Sequence, residues 1–149
     1  MLYLIVDPER SFAEELADAL ATRDPLNTVL PEILEIRGNE TASEIVRLAV
    51  EHVKKFGRPA VVFLSIELPD TDANKMLDFI ASIGESASVI PMGCNLTEII
   101  AASSARRGMP LYVPALLGKP LTPLGVSNVI AKIKAQKRKL RRLRQNPAL

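Results

Sequence analysis

At 149 residues, of which 48% are hydrophobic and 24% charged, the chain is long enough for one globular domain with a sizeable core. It lacks both a run of about 18 apolar residues, which would predict a transmembrane helix, and the pattern of a secretion signal at its start. A single cysteine and a single histidine exclude an internal disulfide and multi-histidine or Cys/His zinc sites. We therefore expect a cytoplasmic protein without a cofactor.

Apolar strands and amphipathic helices alternate along the first half of the chain. The spacing predicts strands over 2–6, 32–37 and 60–66 and helices over 11–23, 41–57 and 71–84. Ser11 with Glu14, and Thr41 with Glu44, match the capping-box pattern at the starts of the first two helices. Gly57 is typical of a helix C-terminus.

The second half continues the alternation. Strands are predicted over 86–93 and 111–117, and helices over 95–108 and 122–145. Asn95 and Thr122 are candidate N-caps, and Pro123 suits the first position of the last helix. Five such units predict an α/β fold: a doubly wound, three-layer α/β/α domain with a five-stranded parallel sheet and an extended C-terminal helix.

Side chains at the carboxyl ends of the strands are the candidates for a site, because ligands of such sheets bind at that edge. Asp7, Ser65, Met92, Gly93 and Lys119 fall at or just after predicted strand ends. We expect these five residues to share one edge of the sheet.

Three strand endings, "LIVDPE", "VVFLSIELPDTDA" and "LLGKP", carry a resemblance to a known family. Over residues 1–134 the chain resembles the receiver domain of response regulators, which implies a flavodoxin-like fold and a role in two-component signal transduction. Asp7 matches the first acid of the family's strand 1, and Lys119, which precedes Pro120, matches the lysine after strand 5.

The same alignment shows where the chain departs from the family. The phospho-acceptor aspartate, four residues before Pro69, is replaced by Ser65. The second strand-1 acid is Pro8, and the hydroxyl position of strand 4 falls on Met92 or Gly93. The pocket is therefore a degenerate phospho-acceptor pocket, typical of a pseudo-receiver.

These replacements predict that the pocket neither holds magnesium nor accepts a phosphoryl group. Magnesium relies on carboxylate ligands, and a serine hydroxyl without an adjacent base is a weak nucleophile at neutral pH. We expect Lys119 to pair with Asp7, which could also cap the first helix. Glu67 is interpreted as a solvent-facing loop carboxylate, with a rescuing metal contact as the alternative.

Two further side chains have a structural and a functional interpretation. Tyr112 is a candidate for the family's aromatic switch, with ordinary packing as the alternative. The segment before Lys119 is longer than usual for the family, so the fifth strand could start late. Cys94 is interpreted as an inert small residue, since no neighbouring cation can be placed from the sequence.

The charges are unevenly distributed, because residues 132–149 contain eight Lys or Arg and no Asp or Glu. The remaining residues have 11 basic and 17 acidic side chains, a net charge of −6. Heptad spacing in the last helix predicts a dimer or linker seam formed by Val126, Val129, Ile133, Gln136, Leu140 and Leu143. Within the domain, Val126, Val129 and Ile133 are expected to pack on the sheet, which leaves only Leu140 and Leu143 as apolar seam residues beyond it. We divide the chain into a receiver-like domain over 1–134 and a basic helical extension or linker over 135–149.

Three interpretations of the extension stay open: a linker that pairs with its twin, a basic segment that binds an anionic partner, and a solvated tail. Together these features predict a non-enzymatic, phosphorylation-independent regulatory domain that acts by protein–protein interaction and dimerisation. The resemblance implies a second copy, an output domain on the same chain or a sensor protein as partner. The alternative is an adaptor that binds nucleic acid or another acidic surface through the basic helix. A nucleotide-binding enzyme is disfavoured, because no glycine-rich loop follows the first strand.

Overall fold

The computed structural model describes residues 1–145, in which five strands alternate with five helices. The strands are β1 (Leu2–Val6), β2 (Glu32–Ile33), β3 (Ala60–Ser65), β4 (Ser88–Gly93) and β5 (Leu117–Gly118). The helices are α1 (Arg10–Arg23), α2 (Ala42–Phe56), α3 (Ala73–Gly84), α4 (Thr97–Ala105) and α5 (Pro123–Gln145). Among these helices, none has the length and apolarity needed to cross a bilayer.

All five strands are parallel and form one sheet in the order β2-β1-β3-β4-β5. The central strands β1 and β3 are buried along their whole length, which explains their continuous apolar sequence. The order reverses between β1 and β3, so a crevice is expected at their carboxyl ends. The predicted doubly wound α/β fold is confirmed.

The core has two halves, one on each face of the sheet. Alternate strand residues such as Tyr3, Ile5 and Phe63 pack against α1 and α5. The residues between them, such as Leu4 and Val62, pack against α2, α3 and α4. The strand period of two thus divides the apolar side chains between two helical layers.

Helix capping follows the sequence in two of the four predicted N-terminal cases. The Thr41 hydroxyl accepts the Glu44 amide, and the Glu44 carboxylate accepts the Thr41 amide, as a capping box requires. The Thr122 hydroxyl accepts the Gly125 amide at the start of α5. The Ser11 box is wrong, because α1 already begins at Arg10 and Ser11 lies inside its first turn. The Asn95 cap is also wrong: its side-chain oxygen accepts the Thr97 amide, but the N-cap residue of α4 is Leu96.

Both edge strands are shorter than predicted, with two residues each. In the predicted fifth strand, Pro114 lacks the amide hydrogen that a ladder requires. The chain instead crosses the start of β4, where the Tyr112 carbonyl accepts the Val89 amide at 2.8 Å, and β5 forms only at Leu117. The late start of the fifth strand, considered from the segment's length, is confirmed.

Tyr112 belongs to this crossing segment. Its ring lies directly over Gly84 at the end of α3, where a Cβ atom would collide with it. Tyr112 therefore packs beside the amino end of β4, whereas Lys119 follows the carboxyl end of β5. The structure supports ordinary packing rather than a switch at the pocket.

Four of the six residues of the predicted seam make packing contacts or hydrogen bonds within the domain. Three of them are buried against the sheet: Val126, Val129 and Ile133. The Gln136 amide donates to the Leu111 carbonyl and its oxygen accepts the Ser88 hydroxyl at 2.9 Å. The expected packing of Val126, Val129 and Ile133 on the sheet is confirmed. These three residues and Gln136 are therefore not available to a seam with a twin helix, because one helix face cannot pack on both. Leu140 and Leu143 remain 41% and 48% exposed.

Helix α5 crosses residue 134 without a break, so the proposed boundary between domain and extension lies inside a continuous helix. The last residue of α5 with a side-chain hydrogen bond to the sheet region is Gln136. Residues 146–149 of the proposed extension lie outside the described part of the chain.

The buried carboxylate of Asp24 contacts both β1 and α5. Asp24 is 3% exposed; it accepts the Tyr3 hydroxyl at 2.6 Å and lies 3.0 Å from the Lys134 ammonium. Burial acts to raise the pKa of Asp24, but the Tyr3 hydrogen bond and Lys134 outweigh it and hold that pKa below its usual value. The Asp24 carboxylate therefore stabilises the folded state above the ordinary aspartate pKa. This contribution is lost as pH falls through the lower pKa that Asp24 has in the folded state.

We expect Tyr3→Phe to destabilise the domain by about 1.5–3 kcal/mol at pH 7, because buried Asp24 loses a hydrogen bond to a charged group. Urea unfolding followed by circular dichroism measures the change. The matched control is Tyr112→Phe, which removes a hydroxyl from a tyrosine without such a bond in the described structure. Equal losses for the two variants would contradict the role assigned to Asp24.

Candidate functional site

The predicted site residues do meet at the carboxyl edge of the sheet. Ser65 ends β3 and lies beside Met92 of β4 in the parallel register. Gly93 lies beside Gly118 of β5, and the Lys119 amide donates to the Gly93 carbonyl at 3.0 Å. Asp7 directly follows β1, as the strand-end argument required.

Lys119 and Asp7 form a buried ion pair. The Lys119 Nζ atom lies 2.8 Å from Asp7 Oδ2, with side-chain exposures of 5% and 1%. The ammonium also lies 4.5 Å from the centre of the Phe12 ring, within the range of a cation–π contact. The other oxygen of Asp7 accepts the Glu9 amide at 2.9 Å, beside the start of α1. The predicted pairing is confirmed. The alternative role as a helix cap is wrong, because the N-cap of α1 is Glu9 and Asp7 accepts the Glu9 amide rather than an amide of the first turn.

Two more carboxylates approach the same ammonium. Glu9 Oε2 lies 3.4 Å and Glu67 Oε2 lies 3.9 Å from Lys119 Nζ. Glu67 also accepts the Cys94 amide at 3.1 Å, so it bridges the loops after β3 and β4. Its interpretation as a purely solvent-facing side chain was wrong, although it remains half exposed.

These acids set the charge state of Lys119. Burial acts to lower its pKa, but the hydrogen bond and charge of Asp7, with the charges of Glu67 and Glu9, outweigh burial and raise the pKa above its usual value. The ammonium is therefore charged throughout the neutral range. Its stabilising contribution is complete below pH 10.5, the ordinary lysine pKa, and is lost as pH rises through the higher folded pKa.

Ser65 shapes the loop after β3. The residue is 1% exposed, and its hydroxyl oxygen accepts the Glu67 amide at 3.1 Å. This bond closes a tight turn of the kind that serine favours. The geometry supports a structural role, since no histidine lies near it to act as a base: His52 pairs with Glu32 elsewhere in the domain.

The end of β4 presents no hydroxyl to the pocket. Met92 is fully buried in the core. At Gly93, a Cβ atom would lie 2.6 Å from Cγ1 of Ile66, so a serine or threonine there requires Ile66 to move. Glycine at this position therefore follows from the packing of Ile66.

The receiver resemblance implies a magnesium ion, but the residues present do not fit one. Both oxygens of Asp7 are engaged, one by the Glu9 amide and one by Lys119. Pro8 offers no side-chain ligand, and the Ser65 hydroxyl is held by an amide. Within residues 1–145 no group of three or more His, Cys, Asp or Glu side chains has metal-binding geometry. The lysine ammonium supplies the positive charge that these carboxylates require.

Cys94 is exposed beside this pocket. The negative charge of Glu67 is the main cause that raises the pKa of the thiol, and burial adds to it. The thiol is therefore protonated at neutral pH, and this supports its interpretation as an inert side chain.

Glu9 and Phe12 were missed as pocket residues, and Glu67 was considered only as an alternative metal contact. A signal for the two glutamates is present in the sequence, because each lies within three residues of a strand end, as Asp7 does. Phe12 gives no such signal, since its place on the inner face of α1 predicts only core packing.

Comparisons with known proteins support the fold. No family model matches the chain, and no curated protein matches it by sequence. Solved structures do match, with 93% of this chain covered in each of three cases. A response regulator receiver domain from Clostridium thermocellum has a TM-score of 0.59, 21% identity and 95% of its own length covered. The signal receiver domain of a Luxo repressor protein from Vibrio parahaemolyticus has a TM-score of 0.59, 18% identity and 93% of its own length covered.

The third match is the beryllofluoride-activated NtrC4 receiver domain dimer, with a TM-score of 0.58, 22% identity and 97% of its length covered. Identities of this size establish the architecture alone. The chain therefore has the fold of the response-regulator receiver domains, with a buried lysine–carboxylate cluster at the edge where their strands end.

We expect Lys119→Met to destabilise the domain by about 3–5 kcal/mol at pH 7, because Asp7 is left as a buried and unpaired charge. Guanidinium unfolding measures the loss. The control is the double variant Lys119→Met with Asp7→Asn, which removes both charges and should cost less than the sum of the single changes. Additive single losses would contradict a coupled pair.

Proposed function

We propose that this chain is a receiver-like regulatory domain of signal transduction that works in the cytoplasm by protein–protein contact, without phosphorylation and without enzymatic activity. The observation that carries the proposal is the Lys119 ammonium held by Asp7, Glu9 and Glu67. In the family the chain resembles, the corresponding lysine contacts a phosphoryl group. Here its charge is already balanced by carboxylates of the chain itself.

Electrostatics argue against phosphoryl transfer to this pocket. An incoming phosphate dianion would have to displace Asp7 from Lys119 while Glu9 and Glu67 repel it at short range. Ser65 would serve as nucleophile only after giving up the Glu67 amide. The proposed domain is therefore set in one state by its own ion pair, or shifted by a partner that binds its two states unequally.

The surface of α4, β5 and the first turns of α5 is the proposed contact face. Ile100 on α4 is 49% exposed and Leu124 on α5 is 71% exposed, so both elements present apolar side chains to a partner. A solved neighbour is a receiver domain dimer, which supports a second copy as the first partner to test. An output domain on the same chain or a sensor protein are the further partners that the fold suggests.

A second candidate function is an adaptor that binds an acidic surface through the C-terminal helix. It is favoured by the six cations between Lys137 and Arg144, none of which forms an ion pair in the described structure. Binding of this kind falls steeply as salt rises.

Incubation with acetyl phosphate and magnesium should leave the intact mass of the protein unchanged, since the pocket lacks both acceptor and ligands. Ser65→Asp alone should also stay unmodified, because Pro8 still withholds a ligand and Lys119 remains paired with Asp7. Intact-protein mass spectrometry detects a phosphoryl adduct. An adduct on the unaltered chain would overturn the proposal.

The matched variant for this assay carries Pro8→Asp together with Ser65→Asp, which supplies the two absent carboxylates. An adduct on this variant but not on Ser65→Asp would locate the loss of function in Pro8. An adduct on Ser65→Asp alone would show that the lysine pair does not block phosphoryl transfer.

If the α4–β5–α5 face pairs two copies, the chain should be a dimer in light scattering. Ile100→Glu combined with Leu124→Glu should shift it to monomer, because two charges would be buried at the interface. The control is Leu26→Glu in the loop after α1, where an 86% exposed leucine lies on another element. A monomer at all concentrations, or a dimer that survives both changes, would exclude this face as the pairing surface.

A further inference from the structure

A groove of about 560 Å³ lies at the amino edge of the sheet, at the opposite ends of the strands from Lys119. One wall is the exposed half of α5, and the other is formed by the starts of β3 and β4, the end of α3 and the segment that carries Leu111 and Tyr112. Its volume is in the range of sites that bind small molecules or a few side chains of a partner. The residues around Lys119 at the carboxyl edge do not line this groove.

The α5 wall of the groove is basic. Lys137, Arg141 and Arg144 line it, spaced four and three residues apart, so they lie along one side of the helix. Leu140 lies between them on the same side and also lines the groove. The cations of this wall span about 10 Å along the helix axis, given the rise per residue of an α-helix.

The opposite wall has no charge to match these cations. No Asp or Glu lines the groove among residues 1–145, and the three cations make no ion pair there. Small and apolar residues form most of this wall: Pro59, Ala60, Val61, Gly84, Ala87 and Leu111. Leu111 is 71% exposed at the rim, where it offers a contact to an apolar side chain.

We propose that this groove binds an acidic amphipathic helix of a partner protein, with apolar side chains against Leu111 and Leu140 and carboxylates against the three cations. Carboxylates at spacings of four and three on such a helix match the spacing of Lys137, Arg141 and Arg144. The proposal rests on the protein-interaction role proposed above and names the chemistry of one partner.

The positive charge of α5 opposes pairing with the α5 helix of a second copy and favours an acidic occupant of the groove. Two copies of α5 side by side would bring twelve cations from residues 137–144 together around four leucines, with no acid in that stretch of either chain. Like charges at such distances repel, and a pair of leucines buries too little apolar area to offset them. An acidic helix replaces that repulsion with attraction.

A nucleic acid fits the groove less well than an acidic helix. Sequence-tolerant binding of single strands depends on aromatic side chains that are free to stack on bases. In the part of the chain that the structure describes, Tyr112 is the one aromatic residue that lines the groove, and its ring is packed on Gly84. A nucleic acid or an anionic membrane would also use the cations on the outer side of α5, Arg138, Lys139 and Arg142, which do not line the groove.

The two sides of α5 provide a matched pair of variants with the same change in net charge. The groove variant carries Lys137→Gln, Arg141→Gln and Arg144→Gln, and the outer variant carries Arg138→Gln, Lys139→Gln and Arg142→Gln. The probe is a fluorescein-labelled amphipathic peptide with glutamates spaced four and three residues apart and leucines on the same face, measured by fluorescence anisotropy with the full chain. We expect saturable binding that weakens about tenfold in the groove variant and less than about threefold in the outer variant.

Leu111→Asp tests the apolar wall without disturbing the core, because the side chain is largely exposed. It should also weaken peptide binding about tenfold. The proposal is overturned by absence of saturable binding, by equal losses in the two triple variants, or by tighter binding to single-stranded RNA or phosphatidylserine vesicles. A dimer abolished by Leu140→Glu with Leu143→Glu would overturn it too, since a second copy would then cover the groove. The phosphoryl assay concerns the other edge of the sheet, so each proposal can fail without the other.

Discussion

The ion pair between Lys119 and Asp7 is the constraint on which the candidate site depends. Lys119 follows β5 and Asp7 follows β1, and two strands, β3 and β4, lie between them in the sheet. The lysine therefore reaches across the whole crevice where a receiver-type pocket would lie. Since a buried charge is tolerated only when it is paired, each partner holds the other in place. The charge of Lys119 is therefore compensated by the chain's own carboxylates, which compete with any anionic ligand for it.

The two edges of the sheet consequently differ in what they can offer a partner. At the carboxyl edge, the ammonium is surrounded by Asp7, Glu9 and Glu67, so no positive charge is left for an anionic ligand. At the amino edge, α5 extends beyond the core and lines a groove with cations that have no acid opposite among residues 1–145. The domain thus has the receiver architecture, and its uncompensated positive charge lies near the amino ends of the strands.

Most of the fold could be predicted because it depends on local patterns. Alternating burial, the Thr41 capping box and the Thr122 N-cap act within a few residues, so the helices and central strands follow from periodicity. The lengths of the edge strands could not be predicted in the same way. The sheet packing of Val126 and Ile133 follows from the helix pattern, but the bond of Gln136 to Ser88 is seen only in the structure.

By itself, the sequence determined the α/β architecture and the identity of the residues at the strand ends, because parallel strands bring their carboxyl ends to one edge. It also established the absence of an aspartate at residue 65 and the basic character of α5. The tertiary structure alone decided that Glu9 and Glu67 turn toward Lys119, that Gly93 accommodates Ile66, and that the cations of α5 line a groove. Those outcomes depend on how side chains far apart in the chain are oriented. The position of a residue at a strand end indicates which edge of the sheet it shares, but not which neighbour its side chain contacts.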